Sequence, residues 1–176
     1  MKENRKGKSV KRTDYDIVII GGGPAGLAAA AAAYDKGARD ILILEREEKA
    51  GGILNQCIHN GFGLTRFKES LTGPEYAARF VREVRERKIE IWLNTTVLSL
   101  SADKNVTAIS PEKGVVTLRA KAVILAMGCR ERSRGALNVA GTRPAGIYSA
   151  GTAQKYVNIK GYMPGKRVVK IGRAHV

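Results

Sequence analysis

The chain has 176 residues, 44% hydrophobic and 27% charged, which is enough apolar material for one domain with a real core or for part of a larger one. Two cysteines, Cys57 and Cys129, exclude a disulfide scaffold and a CxxC zinc site, and point to a reducing, cytoplasmic setting without metal. The formal charge of +15 raises nucleic acid or an anionic membrane as a partner, but the first twelve residues, which carry six basic side chains against Glu3, contain no aromatic residue for base stacking. A solvated tail and a basic surface are the simpler reading.

Residues 1–13 read as a disordered basic arm. The uncharged stretch from Ile17 to Tyr34 is long enough for a signal peptide or a membrane span, but Gly21, Gly22, Gly23 and Pro24 interrupt it and its alanines are weakly hydrophobic. Asp14 to Ile20 is a β-branched run suited to a buried strand, and Leu27 to Gly37 is an alanine-rich helix with a glycine stop. Asp40 to Glu45 is a second apolar strand. Residues 14–45 thus predict a parallel strand–helix–strand unit with a glycine turn after the first strand.

Residues 46–73 are Gly-rich and predicted to be irregular. Pro74 opens a helix on which Tyr76, Ala77, Phe80, Val81 and Val84 form the apolar stripe. Lys88 to Asn94 is a third strand. The runs TVLSLSA, NVTAIS and GVVTLRA, separated by turn residues, predict an antiparallel meander. Ala122 to Gly128 is predicted as a separate, central parallel strand. Residues 129–165 read as loop, and Arg167 to Gly172 as one more strand. The fold class is therefore α/β: a Rossmann-like parallel sheet with a meander insertion, incomplete at its C-terminal end.

The chemistry lies in the glycine turn. Gly21-x-Gly23-x-x-Gly26 between a strand and a helix is a dinucleotide fingerprint. Gly21 permits the turn, Gly23 lets backbone approach a diphosphate, and Gly26 lets the helix pack closely. Gly22, Pro24 and Ala25 complete the turn, where the helix dipole favours phosphate. Glu45 stands 19 residues after Gly26, near the usual offset of about 20 for the carboxylate that binds a ribose diol. It would repel a 2′-phosphate, an effect that neighbouring Arg46 blunts. These mechanics do not separate FAD from NAD.

DIVIIGGGPAGLAAA followed by ILILERE resembles the N-terminal FAD site of the two-dinucleotide-domain flavoproteins, the pyridine nucleotide-disulfide oxidoreductase-like group. The resemblance implies FAD here, with NAD(P) bound by a later domain. VILAMG resembles that group's second FAD signature, at Ala126, Met127 and Gly128, with Met127 in place of a threonine. Val97 matches the position whose backbone holds adenine, and the Gly51-Gly52 pair matches the glycines that precede a redox cysteine pair in the disulfide reductases. Leu54 and His59 occupy the corresponding cysteine positions here, so no dithiol is implied. Cys57 and His59 are the candidates for chemistry beside the flavin, although each reads more simply as a packed loop residue. GGILNQCIHNGFG and GTRPAGIYSAGTAQKYVN suggest the FAD/NAD-binding subunits that oxidise amino acids, opines or glycerol phosphate, and with them a second, partner chain. The implied function passes electrons between NAD(P)H or a small reduced substrate and an acceptor.

The expected organisation is an FAD-binding domain over 14–165 and, over 166–176, the first strand of an NAD(P)-binding domain. Ile171 to Val176 resembles a translated adapter oligonucleotide, and the chain is expected to be an N-terminal fragment that is inactive alone. An NAD-linked Rossmann dehydrogenase and a basic nucleic-acid-binding protein are the two rival readings.

Overall fold

Strand β1 (Asp14–Ile20) opens the fold in a computed structural model that describes residues 13–172. Then follow α1 (Pro24–Asp35), β2 (Ile41–Leu44), a 3-10 turn (Gly52–Gln56), α2 (Gly73–Glu86), β3 (Glu90–Trp92), β4 (Thr96–Leu100), β5 (Asn105–Ser110), β6 (Gly114–Leu125) and α3 (Ala150–Asn158). The chain divides into two compact units, Met1–Gly128 and Cys129–Val176. Apart from Thr13, the expected basic arm lies outside the described residues, as do the last four residues of the expected adapter-like end.

The sheet has six strands in the order β3-β2-β1-β6-β5-β4. β3, β2, β1 and β6 run parallel, while β6, β5 and β4 alternate in direction. The period of two along each strand explains why the central runs are apolar at every position. Val18, Ile20, Leu42 and Leu44 pack with Trp92 of β3 and with Val106, Ala108, Leu118 and Ala120 of the meander. Their neighbours Ile19, Ile41 and Ile43 pack with Leu27, Ala30, Phe80 and Val84 of the helices. Each large apolar side chain so buried contributes ~1.5–3 kcal/mol relative to exposure.

α1 follows the prediction, starting slightly earlier, with Pro24 in its first turn. Its small residues let it lie against the strands. α2 carries a full capping box: Thr72 accepts from the Glu75 amide, and the Glu75 carboxylate accepts from the Thr72 amide at 2.8 Å. That bonding to Thr72 holds the Glu75 carboxyl below its ordinary value. Thr72→Ala is expected to lower unfolding stability by about 1 kcal/mol, read from urea denaturation; an unchanged midpoint would show that the cap contributes nothing.

Four expectations are corrected. The last run of the meander and the central parallel strand are one strand: β6 pairs with β5 over Gly114–Arg119 and with β1 over Arg119–Leu125. Leu118 and Ala120 are buried while Arg119 and Lys121 are exposed, the alternation of an unbroken strand. Salt bridges Arg119–Asp14 (2.8 Å) and Lys121–Asp16 (2.7 Å) line its outer side. The 46–73 segment is not wholly irregular, since it contains the 3-10 turn and a bridge between Phe62 and Leu71.

Residues 129–165 are not all loop. In the second unit α3 is capped from outside its own sequence neighbourhood: the Glu131 carboxylate accepts from the Gly151 amide at 2.7 Å. This bond, together with the Ser149 side chain, holds the Glu131 carboxyl below its ordinary value. Tyr156 of this helix meets Tyr148 edge-on and Tyr162 at a tilt. Finally, Arg167 to Gly172 forms no strand. A strand needs a ladder partner, and none pairs with this segment among the described residues; Val168, Val169 and Ile171 are exposed.

Candidate functional site

The glycine turn sits where β1, β2 and β6 end together. The Gly21 amide donates to Leu44 O at 2.8 Å, and the Ala126 amide donates to Ile20 O at 2.8 Å. Gly21 has φ 110, and a Cβ there would overlap the Ala126 carbonyl. A Cβ on Gly26 would overlap the Gly21 carbonyl and press on Ile19 Cγ2 at 3.3 Å. Both glycines are therefore required by packing alone. Gly23 differs. It has φ −77, which any residue adopts, and a Cβ there would meet only Gly52 Cα, at 4.0 Å. The space over Gly23 is open.

That space is what a diphosphate needs. The first turn of α1 leaves the amides of Ala25 and Gly26 without intrahelical acceptors, and Pro24 has no amide to leave unpaired. Gly51 and Gly52 come in from the 3-10 turn: the Gly51 amide donates to Gly22 O at 2.7 Å, and a Cβ on Gly52 would lie 3.0 Å from Gly23 Cα. Glycine on both sides of the contact keeps the cradle low and wide.

Glu45 is buried, 5% exposed, yet carries a carboxylate at the tip of β2. Its Oε2 accepts from the Gly22 amide at 2.7 Å and its Oε1 from the Glu47 amide at 2.9 Å. Its own backbone is tied by Glu45 N to Trp92 O (2.9 Å) and Thr95 N to Glu45 O (2.8 Å). A carboxylate offers about four lone-pair directions, so two amides leave capacity for two hydroxyl donors. The contact from Glu45 to the middle of the glycine turn is the feature that sequence reasoning missed; only the 19-residue offset signalled that the two belong together.

The structure thus brings together Gly21, Gly22, Gly23, Pro24, Ala25, Gly26, Glu45, Gly51, Gly52 and Ala126. Val97 packs on the cluster that contains Leu44, the residue before Glu45. Arg46 points outward and pairs with Glu47 at 3.8 Å. Met127 is 62% exposed and Gly128 is left-handed at φ 67, so the strand-end signature continues as exposed chain. Cys57 is half-buried, its amide donating to Leu54 O at 3.1 Å. His59 has Nδ1 3.0 Å from Asn60 O and its ring against Phe62. Cys129 is exposed and belongs to the second unit. Among the described residues no group of three His, Cys, Asp or Glu is arranged to hold a metal, and no helix is long and apolar enough to cross a membrane.

The profile of the pyridine nucleotide-disulphide oxidoreductase family matches residues 15–172, nearly all of the chain. The chain belongs to this family. Its members are flavin-dependent oxidoreductases with Rossmann-type nucleotide binding. The chain is 30% identical over 167 residues to an opine oxidase subunit from Agrobacterium tumefaciens (strain Ach5), covering 90% of this chain and 32% of that protein. It is 34% identical over 131 residues to thioredoxin reductase of Ureaplasma parvum, covering 72% of this chain and 38% of that one. Among solved structures, L-proline dehydrogenase from P. horikoshii superposes with a TM-score of 0.67 at 22% identity, over 90% of this chain and 31% of that chain. The chain therefore spans about a third of the length of these relatives.

Proposed function

We propose that this chain is the FAD-holding part of an oxidoreductase that passes electrons between NAD(P)H, or a small reduced substrate, and an acceptor. The observation that carries the reading is the open space over Gly23, bounded by free helix-terminal amides on one side and the anchored Glu45 carboxylate on the other. The amides of Ala25 and Gly26 would hold the diphosphate, Gly51 and Gly52 would let it lie close to the turn, and Glu45 would accept from the adenosine ribose. Ala126 and Gly128, at the end of β6, would keep that edge of the site free of bulky side chains. When bound, the flavin supplies the hydride and electron chemistry; these residues supply binding and orientation.

A dithiol plays no part in the proposed chemistry. Cys57 and Cys129 are both free thiols, and the positions that correspond to the disulfide reductases' cysteine pair hold Leu54 and His59. Two free thiols fit a reducing, cytoplasmic setting. The likeness to one subunit of an opine oxidase, and coverage of about a third of it, favour further domains and a second, partner chain for the complete activity.

Titration of the purified chain with FAD tests this. Saturable quenching of flavin fluorescence is expected, together with a shifted visible absorption band. Gly23→Ala should fold normally, because its φ is ordinary and its Cβ direction is open, yet bind FAD at least about tenfold more weakly, because the methyl occupies the diphosphate's place. A Gly23→Ala protein with unaltered FAD affinity would remove the basis of the proposal.

A further inference from the structure

The segment between Cys57 and Gly73 closes on itself. The Gly73 amide donates to Cys57 O at 2.9 Å, and Phe62 and Leu71 exchange backbone hydrogen bonds at 3.0 and 2.8 Å. Leu71 is buried beneath it, and Gly63, left-handed at φ 90, packs against Leu71 and Glu69 O. Closed loops packed by their own side chains are compact and frequently functional. This one is held in shape before any ligand arrives.

Its outer side forms an open cavity of about 730 Å³ lined by Phe62, Leu64, Thr65, Arg66 and Tyr76 together with Gly61 and Gly63. That volume falls within the ~300–1,000 Å³ of small-molecule sites. The walls are aromatic: the rings of Phe62 and Tyr76 stand 6.1 Å apart at 37°, and Phe67 and Phe80 back Tyr76 edge-on at 5.6 and 5.1 Å. One cationic side chain, Arg66, lines it. The Arg66 guanidinium lies over the Phe67 and Phe80 rings at 5.9 Å and reaches Glu83 at 3.4 Å. That pair is long, and the Arg66 side chain is 58% exposed, so a better-placed carboxylate can displace it. Arg79, by contrast, is engaged with both oxygens of Glu69.

We propose that this groove binds a small monocarboxylate with an aromatic body, its ring against Phe62 and Tyr76 and its carboxylate on Arg66. One available guanidinium beside two aromatic walls suits a single negative charge on a flat apolar body better than a phosphate, which carries more charge and no such body. No residue of the dinucleotide cradle takes part, so the proposal stands or falls separately from FAD binding.

Benzoate is the probe, with benzamide as its neutral isostere and inorganic phosphate as the competing anion, measured by calorimetric titration of the full chain. Benzoate is expected to bind saturably, with benzamide and phosphate each at least about tenfold weaker. Arg66→Ala should lose about tenfold or more for benzoate, whereas Glu83→Gln, by releasing Arg66, should tighten it about two- to fivefold. The gain cannot come from misfolding, and FAD affinity should be unaltered in both variants. Absence of saturable benzoate binding, equal binding of benzamide or phosphate, or a Glu83→Gln protein that binds benzoate no better would each overturn the assignment.

Discussion

Gly26→Val is expected to leave little folded protein. A Cβ at this position lands on the Gly21 carbonyl oxygen, which is itself fixed by the turn, and behind it lies Ile19 of β1. Neither neighbour is a flexible side-chain end that can swing away. The added methyls then force α1 off the sheet, uncovering Leu27 and Ala30, both fully buried. Overpacking of this kind costs about 3 kcal/mol or more, a large share of the stability of a small domain. Urea denaturation followed by circular dichroism reads the loss directly. A variant that unfolds at the parent's midpoint would mean that helix and strand do not approach as closely as the Gly21–Gly26 contact requires. The contrast with Gly23→Ala is informative: two glycines of one fingerprint, three residues apart, are expected to fail by different routes, one in folding and one in ligand affinity.

Glu45→Ala is expected to weaken FAD binding by roughly ten- to a hundredfold, the equivalent of about 1.5–3 kcal/mol for hydrogen bonds to a charged acceptor. The same change removes the acceptor of the buried Gly22 amide and of the Glu47 amide, so unfolding stability should also fall, by about 1–3 kcal/mol for the orphaned donor. Glu45→Gln separates the two effects. Its side-chain carbonyl can still accept from the Gly22 amide, which preserves most of the stability, while its NH2 group turns towards Glu47 N–H or the ribose and loses an acceptor there. Affinity measured by flavin fluorescence and stability measured in urea should therefore part company in Glu45→Gln and fall together in Glu45→Ala. Undiminished FAD affinity in the alanine variant would remove Glu45 from the site.

The strand–helix–strand unit was legible because local and global signals agree there. The apolar runs at 17–20 and 41–44, the glycine spacing and the alanine helix each predict the same arrangement, and the structure has it. The break predicted within β6 fell between the run GVVTLRA and Ala122, at Lys121; paired with Asp16, as Arg119 is with Asp14, this residue belongs to the polar half of a continuous alternation. α3 was not legible because its N-terminal cap is Glu131, some twenty residues upstream, and because none of its residues is buried, so no apolar stripe marks it. Val168 to Ile171 has strand composition without a ladder partner among the described residues, and composition alone does not make a strand. In the turn, the two glycines that packing requires, Gly21 and Gly26, were readable from their spacing. The bond from Glu45 to Gly22 was not, since it depends on where two strands end relative to each other.

The continuity of β6 sets an order on the folding of the first unit. β1 gains its second parallel neighbour only when residues 119–125 are available, about a hundred positions downstream of its own. Until the ribosome has released that stretch, Val18 and Ile20 face water on one side and the glycine turn has no Ala126 carbonyl to lean on. Such long-separation pairing is slow to form and leaves an open strand edge on the nascent chain in the interval. The glycine turn, encoded within the first twenty-six residues, is thus expected to be among the last parts of this unit to acquire its final shape.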